Sequence, residues 1–261
     1  MTYVHAVDAY EFVDSLEDGS VRLMLTDPPY FGIVNDSWDN QWGHVEEFAL
    51  WLSGLFLRAY PKLTPDGSLV FFGAMGKHGQ HPLFRIVERL ERGELTTALD
   101  FESRKYFFRD WLTWRKRRAY GTDRAYLYIR EEILWFSKSP DKWVFHKPYT
   151  SEIRGYSGFN PEYKAHSEFK RVGNVIDDIN ELFRPERVCQ KPLALMKRFV
   201  ETHSDEGDLV VDPFVGWGST GVAAVQCKRR FLGSEKIETD ALKANERIAI
   251  AASSGVVDMF S

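Results

Sequence analysis

Two short stretches, one near each end of the chain, carry residue types that could do chemistry. Asp27-Pro28-Pro29-Tyr30 follows directly on the apolar run Val21 to Thr26. Proline can neither continue a helix nor donate to a strand ladder, so the run reads as a buried strand that stops at the Pro-Pro pair. Asp27 then stands at the carboxyl end of a strand, where open α/β sheets bind ligands. Its carboxylate and the Pro28 carbonyl can accept the two hydrogens of one amine. That would turn a delocalised nitrogen lone pair, such as that of an exocyclic nucleobase amine, towards an electrophile without a covalent intermediate. Tyr30 offers a ring on which a planar group can stack. The competing reading of these four residues alone is a strand-ending turn with a buried tyrosine.

The second stretch is Leu209 to Gly221, LVVDPFVGWGSTG. Its glycines fall where a strand hands over to a helix, so backbone can approach a ligand closely and the freed N–H groups favour a polar or anionic group. The next strand ends at Glu235, fifteen residues beyond Thr220, where a carboxylate could accept from a ribose diol. Such a unit suits an adenosine-containing cofactor. No lysine follows the glycines, so the nucleoside-triphosphate pattern GxxxxGK[ST] fails. Gly216 to Gly221 does fit the dinucleotide spacing GxGxxG. Asp212, however, would repel a pyrophosphate and suits the amino group of a methionine moiety. S-adenosylmethionine, cationic and free of phosphate, is the better match, with Asp212, Phe214, Gly216, Gly218, Ser219, Thr220 and Glu235 as expected contacts.

The elements that must position these turns alternate along the chain. Val4 to Val7 is a short extended run, Ala9 to Leu16 is apolar at helical spacing, and Val21 to Thr26 is the first buried strand. Glu46 to Lys62 predicts a long helix ended by Pro61 and Pro65, Gly67 to Gly73 a second buried strand, and His81 to Leu90 a helix. Lys105 to Trp114 and Glu131 to Ser137 are aromatic, β-prone runs able to pair antiparallel. From Pro192 the alternation returns, with helices over Leu193 to Thr202, Ser219 to Gln226 and Glu238 to Ala252. Strands over Asp208 to Asp212 and Arg230 to Glu235 lie between them. Residues 141–188 hold Pro148, Pro161, Pro185, Gly155, Gly158 and Gly173, and read as an irregular module. Two α/β blocks enclosing a variable insert predict a largely parallel sheet with helices on its faces.

The chain has 261 residues, 44% apolar and 28% charged, which fits one α/β domain with an inserted module. No apolar run approaches the length needed to span a bilayer. Met1 to Asp14 has acids but no Lys or Arg before an apolar stretch, which predicts no secretory or transit segment and a cytoplasmic location. Cys189 and Cys227 are far apart and have no ligand spacing, so neither a disulfide framework nor a metal site is expected. A net charge of −4 is wrong for a phosphate-binding partner unless cations cluster. They do so from Arg104 to Arg124, with Arg115, Lys116, Arg117 and Arg118 as the candidates for DNA phosphate contacts. The interleaved aromatics Tyr106, Phe107, Phe108, Trp111, Trp114, Tyr120, Tyr126 and Tyr128 suit base stacking or, equally, a core beneath a charged face. His78 and His81 flank a turn and read as surface or capping residues, since amine methylation needs no histidine base.

An N-terminal DPPY with a C-terminal DPFVGWGSTG resembles the β class of DNA amino-methyltransferases. Four further segments carry the likeness, one of them Glu131 to Lys138, which resembles the strand leading into the recognition insert. His5-Ala6-Val7-Asp8 is similar to the family segment whose acid approaches the cofactor's adenine, which gives Asp8 that role. Gln190-Lys191-Pro192 resembles the segment flanking the methionine moiety, which places Lys191 there, and Arg229 to Glu235 the strand ending in the ribose-binding acid. The resemblance implies a Rossmann-like S-adenosylmethionine-dependent methyltransferase fold. In that fold a mixed seven-stranded sheet carries helices on both faces, with a catalytic block 1–138, a target-recognition insert 139–188 and a cofactor block 189–261. It implies transfer to N6 of an adenine flipped out of duplex DNA. Catalysis would fall to Asp27, Pro28, Pro29 and Tyr30, with Asp27 also close to the cofactor. For many relatives it implies a homodimer, and a cognate restriction endonuclease is one of two settings. Insert residues Lys147, Arg154, Tyr156, Lys164, Lys170 and Arg171 are further candidates to reach DNA. Phe31 and Gly32 stand where the family often has Asn, Trp217 replaces a small residue, and Ser219 a Thr. Two rival functions share much of this pattern, cytosine-N4 methylation and a non-catalytic DNA-binding module.

Overall fold

Valine, leucine and phenylalanine runs that are buried on both sides can satisfy their backbone only in the interior of a sheet, and four such runs, within 21–26, 63–73, 128–137 and 209–212, build the centre of this protein. In the computed structural model, which describes residues 2–33, 36–76, 80–93, 104–120, 123, 126–154, 167–181 and 190–254, they belong to one eight-stranded sheet. In chain order its strands are β1 (Val4–His5), β2 (Val21–Thr26), β3 (Leu63–Gly73), β4 (Phe107–Tyr120), β5 (Tyr128–Ser137), β8 (Val175–Ile176), β9 (Leu209–Asp212) and β10 (Arg230–Ser234). Their spatial order is β1-β10-β9-β2-β3-β5-β4-β8. Only β5 runs against its neighbours, pairing antiparallel with β3 and β4. The sheet is therefore mixed, as expected. The seven expected strands gain an eighth, β8, which the insert adds beside β4.

Helices cover both faces. On one lie α1 (Ala9–Ser15), α2 (Val45–Ala59) and α3 (Pro82–Arg92), whose Phe12, Phe48, Leu52, Phe56 and Ile86 pack on Met24, Leu69, Phe71 and Phe136. On the other lie α4 (Leu193–His203), α5 (Ser219–Gln226) and α6 (Glu238–Ser253), with Met196, Phe199, Ala223 and Ile248 against Leu23, Val70, Ile133 and Val210. The expected long helix over 46–62 divides. Its α-helical part stops at Ala59 and a 3-10 turn carries Tyr60–Lys62. Pro61 cannot donate to the Leu57 carbonyl four residues back, which instead accepts from Arg104 Nη1 at 3.4 Å.

The insert is more ordered than its composition suggests. β6 (Tyr149–Ile153) and β7 (Phe169–Arg171) form an antiparallel pair. Residues 174–181 are strapped across β4. Thr113 N donates to Asn174 O at 2.8 Å, Trp114 Nε1 to Ile179 O at 2.7 Å, and the amides of Arg117 and Arg118 to the Glu181 carboxylate at 2.9 and 2.6 Å. Among the described residues no helix is long and apolar enough to cross a membrane.

Candidate active site

β2 and β9 are neighbours, with Met24 opposite Val211. Beyond β2 the chain adds strands on one side, and beyond β9 on the other. Where the winding direction changes, the turns leaving the carboxyl ends of two adjacent strands diverge and leave a crevice. The Asp27-Pro28-Pro29-Tyr30 turn leaves β2 and the glycine turn leaves β9, so the two stretches meet there. Buried Thr26 donates to Asp212 Oδ1 at 2.6 Å across the junction, Thr220 donates to Oδ2 at 2.6 Å, and Phe214 N to Oδ1 at 2.9 Å. Burial pushes the Asp212 carboxyl up to about 6 against the pull of the hydrogen bonds from Thr220, Thr26 and the Phe214 amide, and Asp27 adds to the rise.

The crevice is a cavity of about 1230 Å³, counting its open mouth. Its wall includes Asp8, Asp27, Pro29, Lys191, Asp212, Phe214, Gly216, Ser219, Thr220 and Glu235, so most of the expected site residues are brought together. Pro28, Tyr30 and Gly218 are not on that wall. Gly218 caps α5 at φ 88°, and a Cβ there would come within 3.3 Å of Ala244 and Ile248, so its smallness serves the turn and the α5–α6 packing. Gly216, at φ 54°, takes the other left-handed position. Its N–H is held by Glu235 Oε2 at 3.0 Å, while Oε1 accepts from Ile237 N at 3.0 Å. Trp217 between the glycines is anchored through Nε1 to Asp240 at 2.8 Å and shares the cavity wall. Asp8 caps α1 by accepting from Tyr10 N at 2.9 Å.

The Asp27 carboxylate is gripped from two sides. Lys191 Nζ lies 2.5 Å from Oδ2 and Tyr30 Oη 2.5 Å from Oδ1. The Tyr30 hydroxyl also reaches Glu131 Oε1 at 2.7 Å. Its ring is thus drawn back between two carboxylates, 8% exposed, and is not the open stacking platform its sequence position suggests. Lys191 faces Asp27 and Glu131 as well as the cavity.

Three residues of the site had weak signals in the sequence. Asp39, fully buried, pins the turn after β2 by accepting from the amides of Tyr30, Phe31 and Ile33 at 2.5, 2.9 and 2.7 Å. This fixes Phe31 in a left-handed conformation at φ 68°. Glu131 is a charged residue opening an apolar strand. Gln190 is read from sequence only as part of the triplet that resembles the segment flanking the methionine moiety, yet its Oε1 is buried and accepts no hydrogen bond among the described residues, and the residue lines the cavity.

Of the basic cluster, Arg115, Arg117 and Arg118 are exposed, whereas Lys116 turns inward to Glu131 Oε2 at 2.9 Å. Most described aromatics of that stretch are structural. Tyr106 and Trp114 are core residues, Phe108 and Trp111 pack on the core, and Tyr126 and Tyr128 show large exposure. His81 occupies the N-cap of α3 without a side-chain cap bond. Buried Cys227 has its thiol pushed up to about 12, chiefly by burial. His78, Arg124, Tyr156, Lys164 and Cys189 lie outside the described residues.

A wall with four carboxylates, among them Asp212, against two lysines, and with an orphaned acceptor at Gln190, fits a cationic amino-acid-bearing nucleoside better than a polyphosphate. A doubly wound α/β sheet holding such a cavity against a carboxylate turn defines an S-adenosylmethionine-dependent methyltransferase. The chain belongs to the DNA methylase family of N6 and N4 methyltransferases, whose model matches residues 21–246. It is 28% identical to the type II methyltransferase M.HpaI of Haemophilus parainfluenzae over 92% of this chain and 72% of that one. With M1.MboII of Moraxella bovis it shares 26% identity over 89% and 90%. Among solved structures, TTHA0409 of Thermus thermophilus in complex with S-adenosyl-L-methionine superposes with a TM-score of 0.65 at 27% identity, covering 97% of this chain and 95% of that one. The cytosine-N4-specific PvuII DNA methyltransferase superposes with a TM-score of 0.68 at 18% identity, covering 99% and 87%, a likeness of fold alone.

Proposed function

We propose that this DNA methyltransferase moves a methyl group from S-adenosylmethionine to N6 of an adenine flipped out of duplex DNA. The observation that carries the reading is the Asp27 carboxylate at the carboxyl end of β2, facing the same cavity as Asp212 and the glycine turn. When bound, the cofactor supplies a sulfonium-activated methyl group. Asp27 and the Pro28 carbonyl accept the hydrogens of the amine, pointing the nitrogen lone pair into the cavity, and Asp27 takes the proton the amine gives up. Glu235 holds the ribose, Asp8 approaches the adenine, and Asp212, Gln190 and Lys191 surround the methionine end, with Phe214, Gly216, Ser219 and Thr220 shaping the wall. Arg115, Arg117 and Arg118 contact DNA phosphates. Residues 139–188 form the target-recognition insert between a catalytic block 1–138 and a cofactor block 189–261.

The type II names of the relatives support a site-specific modification enzyme of the bacterial cytoplasm; a partner restriction endonuclease and a homodimer are what the family resemblance implies. Adenine is favoured over cytosine because the family's N4 members more often carry Ser at the position of Asp27. A digest of DNA treated with enzyme and labelled cofactor tests this. Label is expected in N6-methyladenine, and label confined to N4-methylcytosine would overturn the choice of base. An Asp27→Ala variant that transfers nothing yet keeps the full biological effect would instead identify a binding module.

A further inference from the structure

Behind Asp27 lies a group of charged residues that methyl transfer as derived above does not use. Glu131, the fourth residue of β5, is buried with its carboxylate beside Tyr30 from the β2 turn, Lys116 from β4 and Lys191 from the segment before α4. Asp27 stands beyond Tyr30 and Lys191, and Asp212, at the end of β9, lies on the far side of Asp27. On β5 itself the titratable and charged neighbours among the described residues are Tyr128, Arg130 and Glu132.

One hydroxyl lies between two carboxyls. Tyr30 Oη lies 2.5 Å from Asp27 Oδ1 and 2.7 Å from Glu131 Oε1. Both are hydrogen-bond lengths, and a phenol has a single proton to donate, so the two carboxyls compete for it. Glu131 has an ammonium on each oxygen, Lys116 at 2.9 Å from Oε2 and Lys191 at 3.3 Å from Oε1. Burial pushes Glu131 up, but the Lys191 and Lys116 charges outweigh it and hold its carboxyl below the usual range. Asp27 moves the other way. Burial raises it and the Glu131 anion raises it further, against the pull of Lys191. Of the two, Asp27 is therefore the carboxyl pushed towards protonation, and Glu131 the one held as an anion.

We propose that Glu131 is a positioning residue for methyl transfer. As a fixed anion bridged to Asp27 by the Tyr30 hydroxyl, it sets whether the Asp27 carboxyl is protonated, and so the pH above which Asp27 can take the amine's proton. The inference rests on Asp27 being the amine acceptor and is indifferent to which base is methylated. A protonated Asp27 can still accept a hydrogen bond through its carbonyl oxygen but has no room for the proton the reaction releases. Transfer should therefore fall on the acid side with the titration of Asp27.

The test is the pH profile of kcat for labelled methyl transfer into DNA, in wild type, Glu131→Gln and Glu131→Asp, with S-adenosylhomocysteine affinity as the check on folding. In Glu131→Gln the acid limb should move down by about one pH unit or more, a roughly tenfold loss of proton affinity at Asp27. In Glu131→Asp, which keeps the charge, it should stay near wild type. A uniform loss of rate in Glu131→Gln with the limb unmoved would make Glu131 merely structural and overturn the proposal. Carbon-13 NMR of labelled aspartate carboxyls, with the Asp27 signal assigned by Asp27→Asn, needs neither DNA nor cofactor. It should show Asp27 titrating above the ordinary carboxylate range in wild type. This measurement decides if the Gln variant does not fold, and an Asp27 midpoint in the ordinary range would overturn the inference by itself. If no base takes up label at any pH, the proposed function fails while the titration still judges Glu131.

Discussion

Replacing Asp212 by Asn is expected to remove a pH dependence of stability that runs against the usual acid lability of proteins. Asp212 is 1% exposed and its carboxyl is pushed from 3.8 up to about 6. The unfolded chain therefore ionises this residue first. Asp212 contributes stability that is fully present below about pH 4 and is lost as pH rises through about 6. A rise of about two units corresponds to ~3 kcal/mol. Roughly half of that, ~1.4 kcal/mol, falls between about pH 5 and about pH 7.5, because the unfolded carboxyl is already ionised at the lower value. Asn keeps the shape: its Oδ1 can still accept from Thr26 and from the Phe214 amide, and the Thr220 hydroxyl, which now donates to Oδ2, can turn to accept from its amide.

The assay is urea unfolding of wild type and Asp212→Asn across that range, read as the difference between the two, so that groups common to both cancel. The variant should gain on wild type by about 1.4 kcal/mol as pH rises from about 5 to 7.5. A difference that stays constant with pH would refute the reasoning, and would mean that the hydrogen bonds at the strand junction already hold the carboxylate ionised. The same ionisation bears on the cofactor. Affinity of wild type for S-adenosylhomocysteine, whose ammonium is proposed to lie by Asp212, should rise through about pH 6, and affinity of the variant should not.

His203 has the opposite slope. Burial holds it neutral, down at about 3, among Trp135, Phe145 and Phe199. Its stabilising contribution is present above the ordinary histidine value of about 6.5 and is lost as pH falls, by ~2 kcal/mol at about pH 5. His203→Phe should flatten that acid limb of the urea midpoint, and an unchanged limb would contradict the assignment. Asp39→Ala strips the acceptor from three backbone amides. It should cost about 3 kcal/mol or more in stability and depress kcat far more than affinity for S-adenosylhomocysteine, because the turn carrying Asp27 loosens while the glycine turn is untouched. Equal losses in both would show that Asp39 does not act through the Asp27 turn.

What was legible in the sequence was local. β2 and α5 have the bounds their apolar spacing and flanking turns predict, because a buried parallel strand and a helix after a glycine turn are each written within a few residues. Side-chain direction in the long hairpin β4–β5 was not legible. There the interleaving of Arg and aromatic residues is the same whether the rings face DNA or the core. The choice is made by α2, whose Phe56 carbonyl accepts from Tyr106, and by residues 174–181, whose Ile179 carbonyl accepts from Trp114. Lys116 was misplaced for the same reason, since a cation in a basic run looks like a phosphate ligand until a buried carboxylate is found opposite it.

The meeting of the two turns is the step that no local pattern encodes. Thr26 and Asp212 are 186 positions apart, and nothing in either stretch names the other. What joins them is winding. A right-handed crossover after each parallel strand carries the chain outward from β2 to β3 and, later, outward from β9 to β10 on the other side. The two starting strands are thereby left side by side with their carboxyl ends diverging. A chain assembled in the reverse block order, cofactor turn first, would reach the same crevice, because the geometry depends on adjacency at the point of reversal and not on which strand is made first. The arrangement of the two turns is therefore a property of the point where the strand order reverses. The edge strand β8 and the β6–β7 pair lie away from that point, where their sequence can vary without disturbing Asp27 or Asp212.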